Sequence, residues 1–360
     1  MTQGVSAMRF EDAIRGRRVW LSGHTGFTGG WFVLWLKTLG CRVSGLALAP
    51  DTEPNLFTAA RIADGIDSEI GDIRDFGTVR ASIERARPEV IFHVAAQPLV
   101  SRSFAEPVET IATNVLGTAH VLEAARQVPG VKAAVCVTTD KVYADLNAGS
   151  GYREDDRLGG KDPYAASKVG AEMVAGCYAA TLSARGNGCR IATARGGNII
   201  GGGDWSQDRI VPDFVRALVS SRPLVLRRPE AVRPWQHVLA LVHGYLALAA
   251  RLLDDKSGDV SAYNFGPTEG EIVTVRELVG RLCSNWTSPA LEFVEGSFPE
   301  TQVLQVDSAK ARRELGWRPP LSLDDTIGLT AAWYRDFYAR PEAARDLTMA
   351  QIEDYRRRLG

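Results

Sequence analysis

Two groups of side chains in this 360-residue sequence are typed and spaced for chemistry. Tyr164 and Lys168 stand at i and i+4, which puts both on one face of a helix. Upstream, Thr139, Asp140 and Lys141 follow one another directly. Tyrosine with lysine beside it suits hydride transfer with a nicotinamide. The phenol is a weak base alone, with an ordinary pKa of ~10, and the ammonium together with the positive nicotinamide ring favours the phenolate. Thr139 offers a hydroxyl to the same substrate oxygen. Asp140 offers something different. An enzyme that only oxidised an alcohol would need no carboxyl there. One that oxidised a sugar, expelled water from it and reduced it again would.

These residues need a frame that brings them together. Arg18–Ser22 reads as a short apolar strand, followed by a glycine turn from Gly23 to Gly29 and an apolar helix over 30–39 that Gly40 stops. Further strands are expected at 43–48, 90–94 and 133–138, the last ending at the triplet, with a helix over 108–127 between the latter two. Short continuous apolar strands alternating with helices imply a parallel sheet covered on both faces. The fold expected is an α/β, Rossmann-type doubly wound sheet with a smaller C-terminal α/β substrate-binding lobe. A leader over 1–15 precedes a dinucleotide domain over 16–190. One more strand at 191–194 opens the substrate lobe, 191–335, from which the chain returns to the first domain at about 236–266. A helical tail covers 336–360.

The turn Gly23-His24-Thr25-Gly26-Phe27-Thr28-Gly29 carries glycines at spacing three and three between strand and helix. That is the context of a dinucleotide fingerprint: one glycine for the tight turn, one for approach to the pyrophosphate, one for helix–strand packing. Gly23, Thr25, Gly26, Phe27 and Gly29 are therefore the first cofactor-binding candidates. Asp72 and Ile73 are placed to bracket the adenine. The strand 43–48 ends without an arginine to receive a 2′-phosphate, which favours NAD over NADP.

Composition narrows the class. Lys+Arg number 42 and Asp+Glu 43, for a net charge of −1, and 45% of residues are hydrophobic. This balance points away from nucleic acid, and with no polybasic tract and no apolar run near the ~20 residues of a span it points away from membranes. The five cysteines, Cys41, Cys136, Cys177, Cys189 and Cys283, form no CxxC and have no histidine cluster. A reducing cytoplasm with no structural metal is expected.

Further motifs are more specific: the run from His93 through Ala95, Ala96 and Gln97 to Val100; Thr138 and the triplet with Tyr143; Asp162-Pro163-Tyr164; Gly197-Asn198 with Gly201-Gly202-Gly203-Asp204-Trp205; Arg233-Pro234-Trp235-Gln236-His237-Val238; and Asn264-Phe265-Gly266-Pro267. With the glycine turn they make the chain resemble the extended short-chain dehydrogenase/reductases, and within them the nucleotide-sugar 4,6-dehydratases, over most of its length. Lys141 places the resemblance in the CDP-glucose branch; the dTDP-glucose branch carries Glu there. Thr139 and Val142 stand where that branch usually has Ser and Cys, Thr28 where Lys is common, and Pro299-Glu300-Thr301 where His-Glu-Ala is usual.

The resemblance implies NAD as cofactor, with Ala95, Ala96, Gln97, Asn114, Thr138, Tyr164 and Lys168 joining the glycine turn in holding it. It implies a nucleotide-sugar substrate, CDP-glucose first among them. Tyr164 would take the C4 hydroxyl proton, Lys141 the C5 proton, and Asp140 would protonate the departing C6 hydroxyl, giving the 4-keto-6-deoxy sugar for deoxysugar and polysaccharide synthesis. Arginine matches pyrophosphate oxygens in a bidentate way, so Arg195, Arg209 and Arg233 are expected on the substrate with Gln97, Asn198 and Trp235. Between Ala165 and Ala180 the only charges are Lys168 and Glu172, and between Ile111 and Ala125 only Glu123. Helices so apolar are buried on two sides, and a homodimer, or a tetramer built from it, is expected. Two other readings remain: a nucleotide-sugar epimerase or reductase of the same superfamily, and a non-catalytic NAD-binding protein.

Overall fold

The computed structural model describes residues 10–144, 151–184, 188–254, 261–267, 272–294 and 305–360. Helix α1 (Phe10–Ile14) leads into β1 (Arg18–Ser22), α2 (Phe27–Thr38), β2 (Arg42–Ala47), α3 (Leu56–Ala59), β3 (Asp67–Ile70), α4 (Phe76–Ala86) and β4 (Val90–His93). Then come α5 (Val100–Ala105), α6 (Pro107–Ile111), a π-helical turn (Ala112–Leu116), α7 (Gly117–Gln127), β5 (Ala133–Val137), α8 (Pro163–Ala184) and β6 (Arg190–Gly196). The second half holds β7 (Ile199–Ile200), α9 (Ile210–Ser220), β8 (Leu224–Leu226), β9 (Val232–Arg233), β10 (Gln236–His237), α10 (Val238–Asp254) and β11 (Ser261–Phe265). The last elements are β12 (Val273–Thr274), α11 (Val275–Asn285), β13 (Leu291–Phe293), α12 (Ala309–Glu314), α13 (Leu323–Ala339) and α14 (Ala344–Leu359).

Seven strands form one sheet in the order β11-β6-β5-β4-β1-β2-β3, and every neighbouring pair is parallel. The order reverses between β1 and β4, and such a switch point leaves a ligand crevice at the carboxyl ends of the strands. Three two-stranded ribbons, β7 with β10, β9 with β12 and β8 with β13, lie in the second half. The chain rejoins the large sheet through β11, which pairs with β6.

Both faces of the sheet are covered. Helix α2 is buried along its length, from Trp31 to Leu36, because it is sandwiched. Phe32 meets Phe92 of β4 at 4.5 Å between ring centroids, and Trp35 meets Tyr355 of α14 at 5.5 Å. A second core, built from Trp20, Ile91, Val121, Ala134 and Ile191 among others, fills the opposite face. Burying this apolar area is the main favourable term holding the layers together.

Three features depart from the sequence reading. The leader expected over 1–15 does not reach residue 15: α1 is a helix whose Ala13 and Ile14 are buried against α10. The helix expected over 108–127 is broken into α6, the π-helical turn and α7. Asn114, inside that turn, hydrogen-bonds Gln97 and Ser167 rather than facing solvent. The tail expected from residue 336 begins inside α13, and its last helix, α14, is docked through buried Ile352 and Tyr355. The Pro299-Glu300-Thr301 departure lies outside the described residues.

Candidate active site

The glycine turn has the shape a pyrophosphate requires. Gly23 has φ +81°, and a Cβ there would stand 2.8 Å from the Ala95 nitrogen. A Cβ on Gly29 would stand 2.8 Å from the His24 Cα. These two positions admit only glycine because backbone packs against backbone. A Cβ on Gly26, between them, would meet the Gly23 oxygen at 3.5 Å, an ordinary contact. It is also the N-cap of α2, and no side chain caps that helix. The helix end thus presents backbone N–H groups and the positive end of its dipole to the crevice. The Thr25 hydroxyl donates to Leu48 O at 2.8 Å and pins the turn to the end of β2. Ser22 Oγ accepts from the Val94 and Ala95 nitrogens and pins it to β4. A dinucleotide phosphate would fit this cradle, and Gly23, Thr25, Gly26, Phe27 and Gly29 are the residues that would hold it; Ala96 faces the cleft beyond.

The reacting groups meet where β5 ends. A cleft of about 690 Å³ is lined by Thr138, Thr139, Asp140, Lys141, Tyr164 and Lys168 on one side and by Asn198, Arg209, Arg233 and Trp235 on the other. Asp162 starts α8, accepting from the Ala165 nitrogen at 2.8 Å, so Tyr164 lies in the first turn. The Thr139 hydroxyl donates to Asp140 at 3.0 Å and also bonds the Tyr164 phenol. The Asn198 amide donates to the other Asp140 oxygen at 3.2 Å. Asp140 is 3% exposed, and burial raises its carboxyl above the ordinary range. A carboxyl biased toward its protonated form can give a proton to a leaving group.

Tyr164 and Lys168 are both buried at the end of β5. Burial pushes the phenol up to about 12, although Thr139 and Arg209 favour the phenolate. Burial pushes Lys168 down to about 8. The lysine ammonium donates to Val137 O at 3.0 Å and not to the phenol. The two share a helix face, as their spacing requires; with Lys168 turned to Val137, the positive charges that favour the phenolate are Arg209 and the ring that a bound nicotinamide would add.

Several expected site residues are used elsewhere. Arg195, expected on the substrate, is 4% exposed and does not line the cleft. Its guanidinium is engaged by Glu172 at 2.8 Å, the Tyr143 hydroxyl at 2.9 Å and Glu154 O at 3.0 Å. A buried cation takes a buried anion first, and Glu172 on α8 supplies it. The Gln97 amide is spent on Leu99 and Thr110, and Asn114 on Gln97 and Ser167; both brace the loop after β4 while its Ala96 and Pro98 face the cleft. Asp72 binds Arg74 at 2.6 Å, and Ile73 is buried beneath Gly117.

Other residues were not singled out by the sequence. Arg227 and Arg228 line the same cleft, and their signal was only the charge of a loop. Asp204, named as part of the glycine-rich motif, holds Arg209 at 2.9 Å. Tyr245 of α10 also lines the cleft, hidden in a helix that reads as pure core. The Trp235 indole N–H is buried without a partner among the described residues. Among the described residues no group of three or more metal-ligating side chains occurs, and no helix is long and apolar enough to cross a membrane.

Comparison with known proteins agrees with this geometry. The sequence profile described as GDP-mannose 4,6 dehydratase matches residues 21–330. A CDP-glucose 4,6-dehydratase of Salmonella typhimurium is 41% identical over 95% of this chain and 96% of its own. Among solved structures, a dTDP-glucose 4,6-dehydratase from Streptomyces venezuelae with NAD bound superposes with TM-score 0.78 at 28% identity, over 90% of this chain and 99% of the other. A UDP-glucose 4-epimerase of Thermus thermophilus in complex with NAD gives TM-score 0.76 at 26% identity, over 88% and 99%. With this match running from β1 into α13, the chain belongs to the GDP-mannose 4,6-dehydratase family.

Proposed function

We propose that this chain is an NAD-dependent nucleotide-sugar 4,6-dehydratase acting on CDP-glucose and releasing CDP-4-keto-6-deoxyglucose and water. The observation that carries the reading is Asp140: a buried carboxyl, biased toward protonation, in one hydrogen-bond chain with Thr139 and Tyr164. The Salmonella relative supports CDP-glucose over other nucleotide glucoses.

Thr139 orients the C4 oxygen, and Tyr164 takes its proton. A nicotinamide dinucleotide held by the glycine turn and Lys168 would supply the hydride acceptor and donor for C4 and C6, and its positive ring would favour the Tyr164 phenolate. The C4 ketone acidifies C5–H, so oxidation has to come first. Lys141 then takes the C5 proton, Asp140 protonates the C6 hydroxyl as it leaves, and water departs. Lys168 steadies the nicotinamide ribose. Arg209 and Arg233, with Asn198 and Trp235, hold the sugar nucleotide, Arg supplying bidentate contacts to the pyrophosphate.

The protein acts as a homodimer in this reading. Phe104, Val108, Ile111, Leu116 and Met173 are exposed on adjacent elements between α5 and α8, and an apolar surface of this kind is a site for a second subunit. The five cysteines are all free, which supports a reducing, cytoplasmic setting, where the product would enter deoxysugar synthesis for surface polysaccharide.

An epimerase shares the fold, as the Thermus structure does, but C4 epimerisation has no use for an acid aimed at C6. The test is incubation with CDP-, dTDP-, UDP- and GDP-hexoses, followed by mass spectrometry. Loss of one water from CDP-glucose supports the reading. Loss from a different nucleotide glucose changes the substrate, and isomerisation without loss of water overturns the dehydratase.

A further inference from the structure

Tyr245 lies in the middle of α10, a helix buried along nearly its whole length. Its ring sits among aromatic neighbours, 6.2 Å from the Phe32 ring and 6.1 Å from that of Phe265. A phenylalanine would satisfy that packing equally well. The residue nevertheless carries a hydroxyl, and it lines the catalytic cleft. Tyr164 and Asp140 are the two titratable groups within its electrostatic reach. Its hydroxyl makes no hydrogen bond among the described residues, and although the ring is buried, the hydroxyl is not one of the polar atoms sealed away without a partner: it opens on the cleft. A polar group held on a rigid, apolar helix and turned to the cleft has its partner among the groups that enter the cleft.

We infer that Tyr245 is a further catalytic residue: its hydroxyl donates a hydrogen bond to the sugar's C6 oxygen while that oxygen leaves. The inference rests on the dehydratase reading. The C4 oxygen already has two hydroxyl partners, Thr139 and Tyr164, whereas the C6 oxygen has only Asp140. In the elimination the C5–H electron pair forms the C5–C6 double bond and the C6–O bond breaks. The C5 proton goes to the base, and the departing oxygen takes the proton of Asp140 and leaves as water. Tyr245 keeps its own proton throughout. It contributes a fixed dipole in a dry site, aimed at oxygen on which negative charge develops, where such donors act most strongly. Burial raises its phenol far above the ordinary value, so it remains a donor at every working pH.

The test compares wild type and Tyr245→Phe with bound NAD. Two substrates are used: the nucleotide glucose that the wild type dehydrates, and its 6-deoxy analogue, which can be oxidised at C4 but cannot eliminate. The variant should lose at least about tenfold in dehydration kcat, with C4 oxidation of the analogue, read from nicotinamide absorbance, unchanged. Its ligand-free Tm should match that of wild type, because the ring packing against Phe32 and Phe265 is kept and the hydroxyl only faces the cleft. Dehydration within about twofold of wild type, an equal loss in both reactions, or a lowered Tm would overturn the inference alone. A wild type that dehydrates no nucleotide sugar would overturn the dehydratase reading and this inference with it.

Discussion

The carboxyl of Asp140 rests directly on the backbone of Gly197. A Cβ at Gly197 would stand 2.6 Å from the Asp140 Cγ, well inside contact distance. The next residue, Asn198, has φ +50° and turns its amide onto the same carboxyl. The loop that follows β6 is thus shaped as a seat for the acid delivered by the end of β5. These two segments are neighbours because β5 and β6 pair in parallel.

Gly197→Ala should displace the Asp140 carboxyl while leaving the cofactor cradle, built on β1 and α2, in place. Dehydration kcat is expected to fall roughly 10²-fold, the scale of losing a positioned general acid. NAD affinity, measured by fluorescence titration, should be unchanged. An alanine variant with nearly full turnover would show that the seat does not position the acid.

Asp140 also makes stability depend on pH in a direction opposite to most carboxylates. Its pKa in the folded chain lies above the ordinary 3.8 because burial disfavours the charge. The folded protein therefore binds this proton more tightly than the unfolded chain. The resulting stability is full below the unfolded value and is lost as pH rises through the folded value. Asp140→Asn removes that loss. The Tm of the variant minus that of wild type should grow more positive between about pH 4 and pH 8. A difference that stays flat would mean the carboxyl titrates alike in both states.

Arg195 should matter to folding and not to substrate. Glu172 accepts from Arg195, from Thr193 at 2.9 Å and from Thr138 at 2.5 Å, so removing the guanidinium leaves a buried anion short of its only ionic partner among the described residues. Arg195→Met is expected to lose roughly 3–5 kcal/mol of stability in chemical denaturation. The folded fraction should keep the wild-type KM for the nucleotide sugar. A large rise in KM at unchanged stability would return Arg195 to the substrate.

What the sequence disclosed depended on how local each signal was. The glycine turn, the triplet and the Tyr164–Lys168 pair are fixed by spacing along a few residues; the triplet and the pair line one cleft, which the turn reaches through Thr28. Arg195 misled because its partner, Glu172, sits on a different element; an arginine near a strand end looks the same whether it holds a phosphate or a buried acid. Edge strand β3, Asp-Ser-Glu-Ile, is mostly exposed and carries no apolar run to announce it. The break in the helix over 108–127 follows from Asn114 bracing Gln97, a contact with no trace in periodicity. Tyr245 was invisible for the opposite reason: an apolar helix gives no hint of which residue reaches a cleft. The lysine bond to Val137 depends on where β5 ends relative to α8, which only the packed fold defines.

The assembly gives the last prediction. Val108 is 78% exposed and Met173 is 62% exposed, on α6 and α8, which pack side by side. Large apolar side chains so placed on a helix layer whose other face covers the sheet are where the proposed dimer would pair. A two-fold symmetric contact, in which the same patch of each copy meets the other, is the commonest way for a chain to pair with itself. Wild type should sediment at twice the chain mass. Val108→Glu combined with Met173→Glu places four like charges across the symmetric contact and should sediment as the monomer, with its far-UV circular dichroism unchanged. Neither residue lines the cleft, so C4 oxidation by the monomer would show that each subunit holds a complete site. A double variant that still sediments as a dimer would move the interface to another face.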